Sequence, residues 1–133
     1  MKHISTELLF ALQDFSCTGK PNADLVDKAE AELGVNFAED YKGIAAQFGA
    51  ISFRGHTLSG ISPYPGNDVV ALTKEHRAYT SGVPNSFYVI EEAHIDGIVI
   101  WQDFDGRIYQ TQPDSKPVLI FDCLYDYILR LKQ

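Results

Sequence analysis

The sequence predicts an α+β fold: a single domain in which an antiparallel β-sheet meander carries N-terminal helices and one C-terminal helix packed on the sheet. Three observations point there. Apolar residues recur at helical spacing up to about residue 48, and then the period changes to two. Three runs, 87–92, 97–102 and 107–112, read as strands whose connections are too short for anything but antiparallel neighbours. An amphipathic stretch follows Asp122. A chain of 133 residues is long enough for one domain, 1–133, with a core that needs no staples and a folded surface of about 7,000 Å².

Each element has its own signal. Ile4, Leu8, Ala11, Leu12 and Phe15 share one side of a first helix that ends before Cys17-Thr18-Gly19-Lys20-Pro21, with Phe10 off the stripe. Asn22 can cap a second helix with Asp24 in its first turn; Leu25, Val26, Ala29 and Leu33 form its apolar face and Gly34 stops it. Val35-Asn36-Phe37 is extended. Tyr41, Ile44, Ala45 and Phe48 mark a third helix, with Gly49 past its end. Ile51 and Phe53 alternate with Ser52 and Arg54, residues 57–61 form a short strand, and 62–67 is a loop rich in turn residues. Val69 to Leu72 reads as a strand; for 73–82 a helical turn and a loop both stay open. Asp105-Gly106 suits the positive φ of a tight hairpin. Ile98-Val99-Ile100-Trp101 is apolar on both faces, which predicts a central strand covered on both sides. Val118 to Phe121 is extended. Asp122 can cap the last helix, which carries Leu124, Tyr127, Ile128 and Leu131, with Asp126 and Arg130 as an i,i+4 pair on its outer face.

Charge narrows the function classes. The chain holds 18 Asp and Glu against 11 Lys and Arg, a formal charge of −7, which argues against direct binding of nucleic acid or an anionic membrane. The acids concentrate in 21–40 and 85–106, each with a net charge of −5. Solubility is one reading of this; a negative field that attracts a basic partner is the other. No apolar run approaches a membrane span, and the start lacks the layout of a signal peptide. Cys17 and Cys123, too far apart for a metal spacing, form no disulfide framework. A cytoplasmic protein is the expectation.

No catalytic constellation is visible. His3, His56, His76 and His94 have no metal spacing, and phosphate-loop, dinucleotide and nucleophile-elbow patterns are absent. Asp103-Phe104-Asp105-Gly106 resembles the start of a calcium loop, but the later acidic ligand is missing and Arg107 adds a cation; a hairpin turn explains it better. Glu91 and Glu92 are consecutive on a strand and point to opposite faces, a poor geometry for an acid–base pair. Trp101 reads as core. No enzyme activity, cofactor or metal is expected. Within 85–106, Glu91, Glu92, Asp96, Asp103 and Asp105 are the candidate partner-binding residues, the turn residues Asp96, Asp103 and Asp105 being those expected at the surface.

At Glu30-x-x-Leu33-Gly34-Val35-x-Phe37-x-x-Asp40-Tyr41-Lys42 the chain resembles the SUKH superfamily, which includes a fungal cell-wall-assembly regulator and many bacterial immunity proteins. Phe48-Gly49, Ile51 to Gly55, Gly60, Phe87 to Ile90, Asp103-x-Asp105-Gly106-x-Ile108-Tyr109, Phe121 and Tyr127-Ile128 continue the resemblance over about 24–131. Ala38 departs from it where family members often carry proline. The resemblance implies a binder: a bacterial immunity protein that neutralises a cognate polymorphic or contact-dependent toxin by covering its active site or substrate groove. The acidic charge makes a toxin acting on nucleic acid, with its basic groove, the preferred class. The alternative that the resemblance implies is a regulatory interaction module with an endogenous partner. A monomer or weak dimer is expected.

Overall fold

The computed structural model describes residues 15–80 and 82–131. The predicted first helix lies outside them except for Phe15, whose ring meets Phe48 edge-on at 5.1 Å. Helices α1 (Ala23–Leu33), α2 (Glu39–Phe48), α3 (Val69–Tyr79) and α4 (Leu124–Leu131) accompany seven strands. Strands β1 (Ser16–Cys17), β2 (Ile51–Phe53) and β3 (His56–Leu58) form one antiparallel sheet; β4 (Tyr88–Glu92), β5 (Val99–Gln102), β6 (Ile108–Thr111) and β7 (Val118–Phe121) form a second, in chain order. The predicted meander is therefore present and gains β7 as a fourth strand.

Local sequence sets the boundaries. Gly34 ends α1 in the left-handed region at φ 69°. Asn22 occupies the N-cap of α1 without a side-chain hydrogen bond. Val26, Ala29 and Leu33 are buried, while Leu25, predicted for the same face, is 40% exposed. The Glu30 carboxylate accepts from the Phe37 N–H at 2.8 Å and from Lys42 Nζ at 3.2 Å, fixing the step from α1 to α2. Arg54 and Gly55, both at positive φ, turn β2 into β3. Cys17 is not at a helix end: it is an exposed residue of β1, opposite Ile51.

One element reverses the sequence reading. Val69 to Leu72 opens α3 rather than forming a strand, because Asp68 Oδ2 accepts from the Ala71 N–H at 3.1 Å and caps the helix. Val69, Leu72 and Thr73, spaced for a helix, are its buried residues. Thr73 Oγ1 accepts from the Val89 N–H at 2.9 Å, so α3 seals the edge of β4. Just past β3, Ser59 donates to the carbonyls of Ile90 (2.8 Å, N–H) and Val89 (2.7 Å, hydroxyl), joining the two sheets.

All four residues of β5 are buried, as its two-sided apolarity predicts. On one face, Tyr88, Ile90, Ile100 and Ile108 meet α1, α2, β2, β3 and α4. On the other, Val89, Val99 and Trp101 meet Leu72 of α3 and Phe87, whose ring stacks on Tyr109 at 4.5 Å. Helical cover thus reaches both faces. Edge strand β7 leaves Val118 and Leu119 exposed.

A buried polar network holds the layers in register. Asp40 Oδ1 accepts from Gln102 Nε2 at 3.1 Å and Oδ2 from the Leu124 N–H at 3.0 Å. The Gln102 amide also donates to the Gly106 carbonyl and accepts from the Tyr88 hydroxyl at 2.6 Å, and that hydroxyl accepts from the Ala38 N–H at 2.9 Å. One carboxylate therefore ties α2 to β5 and to the first turn of α4.

Burial raises the Asp40 carboxyl above its ordinary 3.8 despite these donors. The folded state then holds a proton that the unfolded chain releases, so this contribution to stability is full at acid pH and is lost as pH rises through the folded pKa. Asp40→Asn, with a single acceptor oxygen, is expected to cost about 1–3 kcal/mol in urea unfolding. Its deficit should be largest below pH 4 and shrink toward neutrality; a deficit that grows with pH contradicts the assignment. Gly60 faces a second constraint: a Cβ there would lie 2.1 Å from the Gly49 carbonyl oxygen and 2.7 Å from Ala50 N, both backbone. Gly60→Ala is expected to destabilise by more than about 3 kcal/mol. A midpoint within experimental error of wild type would show that the two segments can separate freely.

Candidate functional site

The acids of 85–106 do not form one surface. Glu91 is buried, its carboxylate bonded to the Tyr127 hydroxyl and, at 3.0 Å, to His56 Nδ1. Beside that carboxylate, and buried, the Tyr127 hydroxyl is pushed far above its ordinary range. Glu92 points the other way, to His76 Nε2 at 2.5 Å. Asp103 is buried rather than exposed: its carboxylate accepts from the Arg107 N–H at 3.0 Å and from the Tyr109 hydroxyl at 3.1 Å, building the turn it sits in. The Gly106 N–H bonds to the Asp103 carbonyl, with Gly106 at φ 95°, so the β5–β6 connection is a three-residue hairpin loop and only the glycine takes positive φ. Asp96 and Asp105 are exposed, but β5 runs between them, and they lie at opposite ends of the sheet.

At the Asp105 end there is a cleft of about 590 Å³. The β5–β6 turn supplies Phe104 and Asp105, the start of α2 supplies Glu39, and the start of α4 supplies Asp122 and Asp126; Asp40 lies at its base. Among the described residues, every charged residue lining it is an acid. On the rim the Arg107 guanidinium reaches Asp105 Oδ2 at 3.3 Å. Phe104 stands 60% exposed among these carboxylates. An exposed aromatic ring within an acidic rim is suited to receive a cationic, partly apolar surface.

Burial raises the Asp40 pKa, which makes it the first group to weigh as a catalytic acid. Its two oxygens are taken by Leu124, Gln102 and its neighbour Tyr41, so its position is explained by architecture. Cys123, also lining the cleft, is buried, and no histidine or lysine stands among the other described residues that line it to activate its thiol. A second cleft, about 570 Å³, lies between α1 and the loop before α3 and mixes Lys20 and Lys28 with Glu32 and Asp68; its charges cancel. Among the described residues, Glu75, His76 and Glu92 are grouped closely enough to hold a metal ion.

Of the five residues expected to bind a partner, the cleft contains Asp105 alone. Glu39, Asp122 and Asp126 were missed. They come from segments more than 80 positions apart, and the only local signal was that Asp122 and Asp126 are four apart near a helix start. Asp126, read as the outer partner of Arg130, lines the cleft.

No described helix is long and apolar enough to cross a membrane. None of the curated proteins compared matches the chain. The SUKH_5 family model, described as SMI1-KNR4 cell-wall, matches residues 7–116. That span covers most of the chain and includes both sheets up to β6, and the α+β architecture agrees with it. The chain therefore belongs to the SMI1-KNR4 family of the SUKH superfamily.

Proposed function

We propose that this chain is a bacterial immunity protein that binds a cognate polymorphic or contact-dependent toxin and occludes its active site. Membership of the SUKH superfamily supports a role of the immunity-protein or SMI1-KNR4 kind. The observation that carries the finer reading is the cleft, where four accessible carboxylates from three elements surround exposed Phe104. Such a surface complements the basic groove of a toxin that acts on nucleic acid. The mechanism is occupancy: the acids draw the toxin in and Phe104 anchors it. A standard interface takes about 800 Å² from each partner, close to a ninth of the 7369 Å² that the folded chain exposes. Asp96 and Glu92, at the far end of the sheet, lie outside this surface. The family description, which names a cell-wall type, favours a second reading, a regulatory module with an endogenous partner. Co-purification with the product of the neighbouring gene separates the two: a toxin supports immunity, and an endogenous regulatory protein supports the alternative.

Charge reversal tests the surface. The variant Asp105→Lys/Asp122→Lys/Asp126→Lys is expected to slow toxin association about tenfold at low salt, with a smaller effect near physiological ionic strength, where the Debye length is about 8 Å. Phe104→Ala is expected to raise the dissociation rate, with a loss of about 2 kcal/mol in affinity. Asp24→Lys/Asp27→Lys, on exposed positions of α1, is the control and should bind as wild type does. Folded triple and Phe104→Ala variants that bind and protect cells like wild type would remove the cleft from the interface.

A further inference from the structure

The far end of the sheet carries a different chemistry. Glu75 and His76 are consecutive residues of α3, Glu92 is the last residue of β4, and His94 follows two positions later in the β4–β5 loop. One donor atom from each of Glu75, His76 and Glu92 lies within 4.8 Å of the others. His76 Nε2 is 2.5 Å from one Glu92 oxygen and 3.9 Å from Glu75; the other Glu92 oxygen is 3.9 Å from His94 Nε2. One imidazole and two carboxylates thus surround one point, and the His94 ring flanks the outer oxygen of Glu92 beside it. We propose that Glu75, His76, Glu92 and His94 form a binding site for a divalent transition-metal ion of the zinc class.

The donor set selects the ion. Tetrahedral zinc with bonds of about 2.0–2.1 Å holds its donors about 3.4 Å apart, a value that the observed 2.5 and 3.9 Å separations straddle. Glu75, His76 and Glu92 already share one corner, and rotation of the exposed His94 side chain about its χ angles would supply the fourth donor. Imidazole nitrogen with carboxylate oxygen suits zinc and its neighbours, whereas calcium and magnesium take oxygen ligands alone. The surroundings are half-enclosed: the His76 side chain is 15% exposed and that of His94 78%, which leaves one floor and one open side for entry. The floor is rigid, because the bond from the Val89 N–H to Thr73 Oγ1 locks α3 to β4 close to the site. A divalent ion would neutralise the two carboxylates that share this corner. Pattern reading misses the cluster because its two halves, Glu75-His76 and Glu92-x-His94, are 16 to 19 positions apart and match no established ligand motif.

The test uses the full chain, freed of its purification tag and treated with chelator, titrated with zinc chloride by calorimetry. Saturable uptake of one zinc per chain is expected, with none for calcium or magnesium. His94→Ala and Glu75→Ala change exposed side chains and should keep the wild-type circular dichroism spectrum; each is expected to weaken zinc binding tenfold or more. His76→Ala should abolish it. No stoichiometric uptake by wild type would overturn the site, leaving the His76–Glu92 bond as a plain helix-to-strand contact. So would uptake that folded His94→Ala and Glu75→Ala variants leave unchanged, since the ion would then lie elsewhere. Because the readout is metal uptake, it is independent of whether the acidic cleft binds a toxin.

Discussion

The Asp40 carboxylate is the interaction on which the molecule's arrangement depends. It sits where three pieces of chain, each short of a partner, meet: the start of α2, the end of β5 and the start of α4. The Leu124 N–H would otherwise be an orphan donor in the first turn of α4, buried and away from water. Asp122, the residue that local sequence offers as a cap, is exposed beside it. A carboxylate 84 positions away in the chain caps the helix instead, so α4 cannot be placed until α2 is. Gln102 extends the same logic into the sheet. Its amide reads the Asp40 carboxylate and the Gly106 carbonyl on one side and the Tyr88 hydroxyl on the other. Such a network specifies a single register, because a slip by one residue would leave every member unsatisfied.

The network also shapes the surface above it. By holding the starts of α2 and α4 against the β5–β6 turn, it gathers Glu39, Asp122 and Asp126 around Asp105 and Phe104. Mutual repulsion among these acids is opposed by the amino-terminal ends of two helices, whose dipoles favour negative charge nearby. The acidic segments of the sequence therefore divide by role. Glu30, Glu91 and Asp103 are internal acceptors, whereas Glu39, Asp105 and Asp122 face outward. Net charge per segment could not separate these roles, since a buried acceptor and a rim charge contribute the same −1.

How much was legible followed from the range of the interaction behind each feature. The helical stripes of α1 and α2, the glycine at the end of α1 and the meander were readable because their causes lie within a few residues. Two-sided burial of β5 was readable for the same reason: Ile98 to Trp101 has no polar face. Val69-Val70 looked like a strand because β-branched residues favour one, and the cap from Asp68 outweighed that preference. Asp103 was placed at the surface because turns usually lie there; its bonds to Arg107 and Tyr109 pull it in. The departure at Ala38 has a long-range explanation: its N–H donates to the Tyr88 hydroxyl, and proline would have no hydrogen to give. The cleft was not legible as a unit, because no stretch of sequence holds it.

The two sides of the larger sheet end differently. On β4 the outer backbone groups are taken by Thr73 and Ser59, which closes that side to any further strand. On β7 no described strand lies beyond, and Val118 and Leu119 are exposed there. An open, apolar edge of this kind is a template on which a foreign strand can add. Lys116 and Pro117 stand immediately before it. The lysine makes an approaching chain bring its own counter-charge, and the proline offers no N–H to extend the ladder. These two residues bound one end of the open edge, so the template it offers is no longer than the four residues of β7.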